Sequence, residues 1–348
     1  MRSHSALLCS FSALLIFTSY LTAQEPDSTF VLRLRTAMTL VDGVAEQRDP
    51  ATHSSKLITS LRMSDFRLFD NGHEVPIETL DTGDSVRPIA LWLIVQCNMG
   101  FRDDWSSGFL QGKTQFLKPA LAHIGKNDLI GVAHWCDNGE ASIDLPPGTD
   151  VDAASRTIEN VLSSDMRSGN NRTGELAMQS MIRQIDQSTR NAKLPHSIGL
   201  KTRPDSDSSR LPVFLFLYGD HSGTHSSEAK AIISDVLESS GIVFGLSNAM
   251  RPWFMTGDFM GKTWSLVHVY ANETGGEYVA TLEPEKYGSS LDYILNQLRL
   301  RYTLGFKPVK LDGKTHELRV ELTAEAQERF PEAALRFRRQ YIPLPSTH

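Results

Sequence analysis

The stretch Ile89-Ala-Leu-Trp-Leu-Ile-Val-Gln-Cys-Asn-Met-Gly100 decides the fold of this chain. Its first eight residues contain one polar side chain, that of Gln96, which comes last. A run this short and this apolar predicts a β-strand buried on both faces, as in a parallel sheet covered by helices. Ligand sites in such sheets lie at the carboxyl ends of the strands. This strand ends in Gln96, Cys97, Asn98 and Gly100.

The same strand end lacks the oxygen ligands that a hard divalent cation prefers. From Gln96 to Gly100 there is no carboxylate and no hydroxyl, and the polar groups are amides and a thiol. Magnesium and calcium sites are built mainly from carboxylate, hydroxyl, carbonyl and water oxygens. We therefore expect no divalent metal here.

Length and composition indicate a globular protein without a nucleic-acid partner. The chain has 348 residues, which predicts one large or two modest domains. Hydrophobic residues make up 40% and charged residues 22%, which are ordinary values for a globular protein. A formal charge of -6 gives no electrostatic attraction for nucleic acid.

Residues 1–23 have the three parts of a secretory signal peptide. Arg2 provides a basic start, an apolar stretch runs from Ala6 to Leu21, and Ala23 precedes a polar segment. We expect cleavage after Ala23 and an exported protein, periplasmic or secreted; the alternative is a retained N-terminal anchor. No later segment approaches the roughly 18 apolar residues that a membrane span requires, so none is expected after cleavage.

Residues 24–85 and 302–348 carry strand patterns. Phe30–Thr36 alternates apolar and polar residues, as a half-buried strand does. Asp42-Gly43 is a turn signal, residues 45–55 predict a loop, and Asp70-Asn71-Gly72 predicts a hairpin turn between two short strands. Three alternating stretches follow near the other end: Tyr302–Phe306, His316–Leu322 and Ala334–Arg338.

Residues 86–301 alternate between apolar strands and amphipathic helices. Beyond the first strand, strands are predicted at 128–136, 211–218 and 241–247. Helices are predicted at 108–123, 151–163, 174–188, 226–239 and 284–301. This alternation predicts a doubly wound α/β sheet. Because strands flank the α/β unit on both sides, we expect 24–85 and 302–348 to share one β-sandwich into which 86–301 is inserted.

Several blocks together resemble one known family. In that family a characteristic block precedes a von Willebrand factor A domain, and it is similar to Met63–Gly72 followed by Pro76-Ile77 of this chain. Three later segments of this chain resemble the blocks that close the family's sequences: Thr274–Tyr278, Leu298–Pro308 and Arg336–Tyr341. This is the VWFA-related family of exported bacterial proteins, first noted in acidobacterial genomes, and the resemblance spans about residues 30–342. It implies a Rossmann-like von Willebrand factor A domain at 86–301.

The resemblance also implies where a metal site would lie. The DxSxS motif of such domains falls on Gln96, Asn98 and Gly100, and its threonine on Thr173. The later aspartate falls on Tyr218, with Asp220 close by as a substitute. Asp103 and Asp104 lie in or before the first helix, where solvated acids are common. We expect a degenerate, metal-free face without a cofactor.

Two cysteines, Cys97 and Cys136, remain after the signal peptide removes Cys9. They end the first two strands of the α/β unit, which are parallel neighbours in the topology that the resemblance implies. Neighbouring strands are about 4.8 Å apart, within the Cα range of a disulfide. Two interpretations are possible: a Cys97–Cys136 disulfide bond or a pair of buried thiols.

Catalytic motifs are absent from the sequence, so we expect a protein that is not an enzyme. There is no nucleophile elbow, P-loop, HExxH or dinucleotide fingerprint, although Ser222 lies in a superficially similar Gly-x-x-x-Gly loop. His221 and His225 have a zinc-like spacing but sit in a loop before a helix, while His134 and His268 are expected to be core histidines.

The resulting hypothesis is an exported protein-interaction module that binds an unidentified protein partner at its metal-free face. One alternative is metal-dependent adhesion, in which a magnesium ion captures a partner carboxylate. Another is a structural scaffold in the cell envelope. The apolar stretch at 250–262 contains Trp253 and Phe254. We favour the interpretation that it is a loop folded over the sheet edge; the alternative is a partner-binding surface.

Overall fold

The computed structural model describes residues 38–48, 55–97, 114–121, 124–136, 141–163, 174–191, 210–217, 222–223, 227–247, 264–280 and 286–343. All of them belong to one of the two units into which the chain divides, residues 37–348. The predicted strand at 30–36 and the loop at 250–262 lie outside the described residues.

The described elements alternate as the sequence predicts, with strands at both ends and a mixed α/β region between them. The strands are β1 Thr39–Arg48, β2 Ser55–Leu57, β3 Phe66–Asp70, β4 His73–Val75, β5 Ile77–Thr82, β6 Ile89–Cys97, β7 Leu129–Cys136, β8 Ala141–Gly148, β9 Leu211–Leu217, β10 Ser222–Gly223, β11 Ile242–Ser247, β12 Trp264–Ser265, β13 Tyr278–Ala280, β14 Tyr302–Phe306, β15 His316–Leu322, β16 Ala333–Phe337 and β17 Gln340–Tyr341. The helices are α1 Thr114–Leu121, α2 Val151–Ser163, α3 Gly174–Asn191, α4 Ser227–Glu238, α5 Leu266–Thr274, α6 Tyr287–Arg299 and α7 Ala324–Arg329.

A six-stranded sheet forms the centre of the α/β region, in the order β13-β11-β9-β6-β7-β8. The first five strands are parallel, and β8 pairs antiparallel with β7. Strand β6 lies between β9 and β7, and its residues from Leu91 to Val95 are fully buried. Strand β8 was not predicted. It contains Pro146 and Pro147, which suit an edge strand because proline cannot donate to a ladder.

Helices cover both faces of this sheet. One apolar cluster joins the sheet to α1, α2 and α6, and a second joins it to α3, α4 and α5. Leu91 and Leu93 of β6 belong to the first cluster, whereas Trp92 and Ile94 belong to the second. A strand that is covered on both faces must be apolar at every position, as the sequence of β6 is.

Two further sheets combine strands from both ends of the chain. In the first, β1 pairs with β14 and β16, β14 pairs with β5, and β2 flanks β1. The second has the order β17-β15-β3-β4. One apolar cluster, which includes Val41, Leu68, Leu304 and Leu318, is shared between them. We call this part of the molecule the chain-end sheets.

The predicted hairpin is confirmed, with β3 and β4 pairing antiparallel. Asn71 and Gly72 link the two strands with φ values of 48° and 79°. Two consecutive residues with positive φ are typical of the type I′ turn, which asparagine and glycine adopt readily.

The predicted turn at Asp42-Gly43 is wrong, and the loop predicted at 45–55 is wrong at residues 45–48 and 55, which belong to strands; residues 49–54 lie outside the described residues. Strand β1 runs through Asp42-Gly43 to Arg48. Gly43 serves close packing here, because a Cβ atom on it would lie 2.3 Å from Cγ of Phe337. Asp42 is buried among basic side chains. Neither requirement is visible in the local sequence.

Candidate functional site

The chain changes direction across the six-stranded sheet between β6 and β9. After β6 it passes through α1 on one face to reach β7, whereas after β9 it passes through α4 on the opposite face to reach β11. The carboxyl ends of two parallel neighbours whose connections diverge in this way form a crevice, the usual ligand site of open α/β sheets. We call this the carboxyl edge.

One sequence-predicted site residue lies in β6, and two others directly follow β6 and β9 in the sequence. Gln96 is in β6, with its backbone in register with Trp135 of β7. Asn98 is the first residue after β6 in the sequence, and Tyr218 is the first residue after β9. Asn98 and Tyr218 themselves lie outside the described residues. So do the remaining predicted positions: Gly100, Thr173 and Asp220, together with Asp103, Asp104, His221 and His225.

The two cysteines are brought to neighbouring positions by the strand register. Cys97, the last residue of β6, pairs in register with Cys136, the last residue of β7. Register neighbours on parallel strands are about 4.8 Å apart, and disulfides typically join Cα atoms 4.4–6.8 Å apart. The backbone therefore places both residues where a disulfide could form.

A buried histidine-aspartate pair lies close to this edge and was missed in the sequence. His134 of β7 is buried, as expected, and its Nδ1 lies 2.9 Å from both carboxylate oxygens of Asp144 in β8. Its Nε2 is buried without a hydrogen-bond partner. The pair depends on β8, a strand that the sequence pattern does not predict. His268 is half-buried and contacts Asn272, its Nε2 lying 2.9 Å from Nδ2.

Neither a metal cluster nor a spanning helix is found in the part of the chain that the structure describes. No three histidine, cysteine, aspartate or glutamate side chains in those residues are grouped so that they could hold a metal ion. None of the helices there combines the length and apolar character needed to cross a bilayer.

A second polar cluster lies at the opposite, amino edge of the same sheet. Asp42 accepts hydrogen bonds from Arg301 Nε at 3.0 Å, Thr303 Oγ1 at 2.7 Å and Arg87 Nη2 at 2.7 Å. Arg87 lies just before β6 and Arg301 just after α6. Burial tends to raise the pKa of Asp42, but the two guanidiniums and the hydroxyl outweigh it and lower this pKa to about 2. The carboxylate is therefore ionised at neutral pH.

The comparisons with known proteins leave the family unassigned. No family model matches the sequence, and no curated protein matches it. Solved structures do match, among them a von Willebrand factor type A protein from Catenulispora acidiphila, with 9% identity, a TM-score of 0.41 and coverage of 83% of this chain and 76% of that one.

Two other matched structures are similar to the same degree. An aerotolerance-related membrane protein from Bacteroides fragilis has 14% identity and a TM-score of 0.39, with coverage of 60% of this chain and 98% of that one. Proximal thread matrix protein 1 from the mussel byssus has 9% identity and a TM-score of 0.39, with 64% of this chain covered. This chain spans half the length of the mussel protein. Likeness at this level places the chain in no family.

Proposed function

We propose that this chain is an exported, non-enzymatic protein-interaction module whose partner docks at the carboxyl edge. The observation that supports the proposal is the change of chain direction between β6 and β9 at that edge. The residues named by the family resemblance, Gln96, Asn98, Tyr218 and Asp220, all fall at or just after the ends of these two strands. Topology and motif position thus both support docking at this edge.

The proposed architecture is a von Willebrand factor A domain at 86–301, carried by a β-sandwich of 24–85 and 302–348. Its support is the pairing of strands from the two chain ends, β1 with β14 and β3 with β15. The apolar cluster common to both chain-end sheets adds to it. With such a scaffold, the carboxyl edge would be held by a sheet whose strands are buried on both faces.

Binding at the carboxyl edge is proposed to need no metal. The motif positions Gln96, Asn98 and Gly100 carry no carboxylate and no hydroxyl, and neutral amides repay the dehydration of Mg²⁺ poorly. Partner binding would then depend on neutral hydrogen bonds, on Tyr218 and on shape complementarity. Such an interaction should survive EDTA.

Photo-crosslinking tests the docking edge. A photoreactive amino acid replaces Asn98 in the mature chain, with the same replacement at exposed Glu317 of β15 as the matched control. Irradiation in the native envelope of the source organism should give a specific adduct from position 98, equally strong with EDTA, and none from position 317. Adduct formation that is lost in EDTA would establish the metal-dependent alternative. Equal adducts from both positions would contradict docking at this edge.

Metal titration tests the same proposal independently of the partner. By calorimetry, the natural chain should bind neither Mg²⁺ nor Mn²⁺, whereas a triple variant with Gln96→Asp, Asn98→Ser and Gly100→Ser should gain binding. The substitutions restore the carboxylate and the two hydroxyls that the motif lacks. Micromolar binding by the natural chain would overturn the metal-free proposal.

The scaffold alternative makes a different prediction. If the carboxyl edge does not bind the partner, Asn98→Ala and Tyr218→Ala will leave recovery of the partner in a pull-down with a chemical cross-linker unchanged. Export is tested separately by N-terminal sequencing of the protein recovered from outside the cytoplasm. The mature chain is expected to begin at Gln24, and an intact Met1 end would support the retained anchor.

A further inference from the structure

A cavity of about 290 Å³ lies at the amino edge, on the side of the sheet opposite the proposed docking edge. Arg87, which precedes β6, and Ser240, which precedes β11, both line it. Arg338, between β16 and β17, lines it as well. The remaining lining combines the polar residues Thr39 and Tyr341 with apolar ones: Met38, Leu40, Leu237, Leu311, Ile342 and Pro343.

The guanidinium of Arg338 is buried without a carboxylate partner. The residue is only 4% exposed. Its Nη2 donates to the carbonyl oxygen of Gly241 at 2.7 Å, and no acidic side chain among the described residues lies within ion-pair distance of it. A guanidinium carries five N–H donors, so most of its hydrogen-bonding capacity is not used by this contact.

The backbone holds Arg338 in this position. Gly275, at the end of α5 with a φ of 84°, packs so closely that a Cβ atom on it would lie 2.5 Å from the backbone nitrogen of Arg338. The next residue, Arg339, donates its backbone N–H to the carbonyl oxygen of Glu273 at 3.0 Å. Arg338 is thus fixed against α5 and the start of β11.

The buried charges around the cavity do not balance. Arg87 and Arg338 line the cavity, and the one carboxylate within ion-pair distance of either of them in the described residues, that of Asp42, is also paired with Arg301, which is not part of the lining. Arg87 also has a buried Nε without a hydrogen-bond partner. Burying an uncompensated charge is costly, so a site with this excess attracts an anion.

The pKa of Arg338 agrees with an anion site at this cavity. Burial lowers the pKa of Arg338 to about 10, the carboxylate of Asp42 opposes that change, and Arg87 adds to it. Arg338 remains charged at neutral pH, but its charged form is disfavoured by the surroundings. A bound anion would relieve this cost.

We infer that this cavity binds a short-chain aliphatic carboxylate, whose oxygens accept from Arg338 while its tail contacts Leu237 and Ile342. A planar carboxylate matches the guanidinium fork, and its two oxygens need few further donors. Phosphate has more oxygens to satisfy than a carboxylate does, and it has no part that would match the aliphatic side chains of the lining. The cavity lies at the small end of the usual range for ligand sites, which limits the tail to a few carbons.

Hexanoate is the probe that tests this site in the intact mature chain. It should raise the melting temperature saturably and bind with a dissociation constant of about 1 mM or tighter, as measured by calorimetry. Hexanamide, the neutral analogue, and inorganic phosphate should do neither. Arg338→Met should weaken hexanoate binding about tenfold or more, whereas Arg339→Met, an exposed arginine one residue away, should leave it unchanged.

Other outcomes overturn the inference. No hexanoate binding by the natural chain, equal binding of hexanamide, tighter binding of phosphate, or full binding by Arg338→Met would each contradict a carboxylate site at Arg338. If Arg338→Met does not fold, Ile342→Trp provides the second variant, because it fills the cavity without removing a charge. It should broaden the NMR signal of carboxyl-labelled hexanoate less than the natural chain does, and equal broadening would contradict the site.

Discussion

The six-stranded sheet and the chain-end sheets bury different kinds of side chain. All seven residues of β9 in the six-stranded sheet are buried and apolar. The chain-end sheets instead bury Asp42 and the pair Asp70–His316, in which Nδ1 lies 2.7 Å from Oδ1. Tyr341 donates its hydroxyl to the other oxygen of Asp70 at 3.0 Å. Apart from the His134–Asp144 pair at its β8 edge, the six-stranded sheet depends on apolar packing, whereas the chain-end sheets add several buried charged and hydrogen-bonded pairs.

The difference follows from which segments each region must join. In the α/β region, consecutive strands and helices pack together, and non-directional apolar burial suffices. In the chain-end sheets the partners are far apart in sequence, 259 positions for Asp42 and Arg301 and 246 for Asp70 and His316. Our hypothesis is that these pairs select the correct pairing, because a mispaired strand would leave a buried charge without its partner.

Removing the Asp42 carboxylate is the strongest test of this comparison. Asp42→Ala should lower the free energy of unfolding by about 3–5 kcal/mol, because Arg87 and Arg301 are left buried without a counter-charge. Urea denaturation measures the loss. The matched control is Asp152→Ala on α2, which breaks an exposed pair with Lys118 and should cost less than about 1 kcal/mol. Equal losses would mean that the buried charges contribute no more than surface pairs do.

The cysteine pair at the end of β6 and β7 gives the next largest expected effect. We expect the exported chain to form the Cys97–Cys136 bond, and its reduction to lower the free energy of unfolding by about 2–4 kcal/mol. Denaturation with and without reductant measures the difference, and Cys97→Ser should abolish it. Two titratable thiols in the denatured, unreduced mature chain would show that the bond does not form and that this sheet depends on packing without a crosslink.

Acid should affect the chain-end sheets before it affects the six-stranded sheet. The pKa of Asp42 is lowered from an ordinary value of 3.8 to about 2, so the unfolded chain binds this proton at higher pH than the folded chain does. The stabilisation from Asp42 is therefore complete above about pH 5 and is lost as the pH falls from about 4 to 2. Unfolding measured across this window in Asp42→Asn should show a shallower decline, and an unchanged decline would assign the effect to other acids.

The smallest effect is expected at a polar contact within the six-stranded region. Trp92 of β6 donates its indole N–H to Thr189 Oγ1 of α3 at 2.9 Å, in a buried site. Thr189→Val keeps the shape but leaves the indole N–H unpaired, which should cost about 1–3 kcal/mol in urea denaturation. Thr189→Ser retains the hydroxyl and serves as the control. A larger loss than that of Asp42→Ala would reverse the comparison between the two regions.

The parts of the fold that were predicted correctly depend on neighbouring residues. The boundaries of β6, β9, β14 and β15 follow from runs or alternations of five to nine residues, and helix α2 was predicted over its observed length. Helix α5 and strand β8 were missed. Strand β8 includes two prolines, and α5 includes β-branched and aromatic residues that favour strands. Packing against β7 and β11 overrides these local preferences.

The candidate sites show the same division. Strand ends and motif spacing were enough to name Gln96, Asn98 and Tyr218, because a position just after a strand is a local property. The His134–Asp144 pair and the Arg338 cavity were not foreseen. Arg338 is 97 positions from the Gly241 carbonyl that it contacts, and Arg87 is 45 positions from Asp42.

The sequence by itself determined that the run beginning at Ile89 is a strand buried on both faces and that no carboxylate or hydroxyl lies between Gln96 and Gly100. Side-chain polarity and its period along the chain are enough for such conclusions. Only the tertiary structure decided that Asp42-Gly43 lies within a strand, that Cys97 pairs in register with Cys136, and that two arginines share one buried carboxylate. Electrostatic interactions depend on distance in space, and chain folding brings together residues whose separation in sequence carries no sign of it.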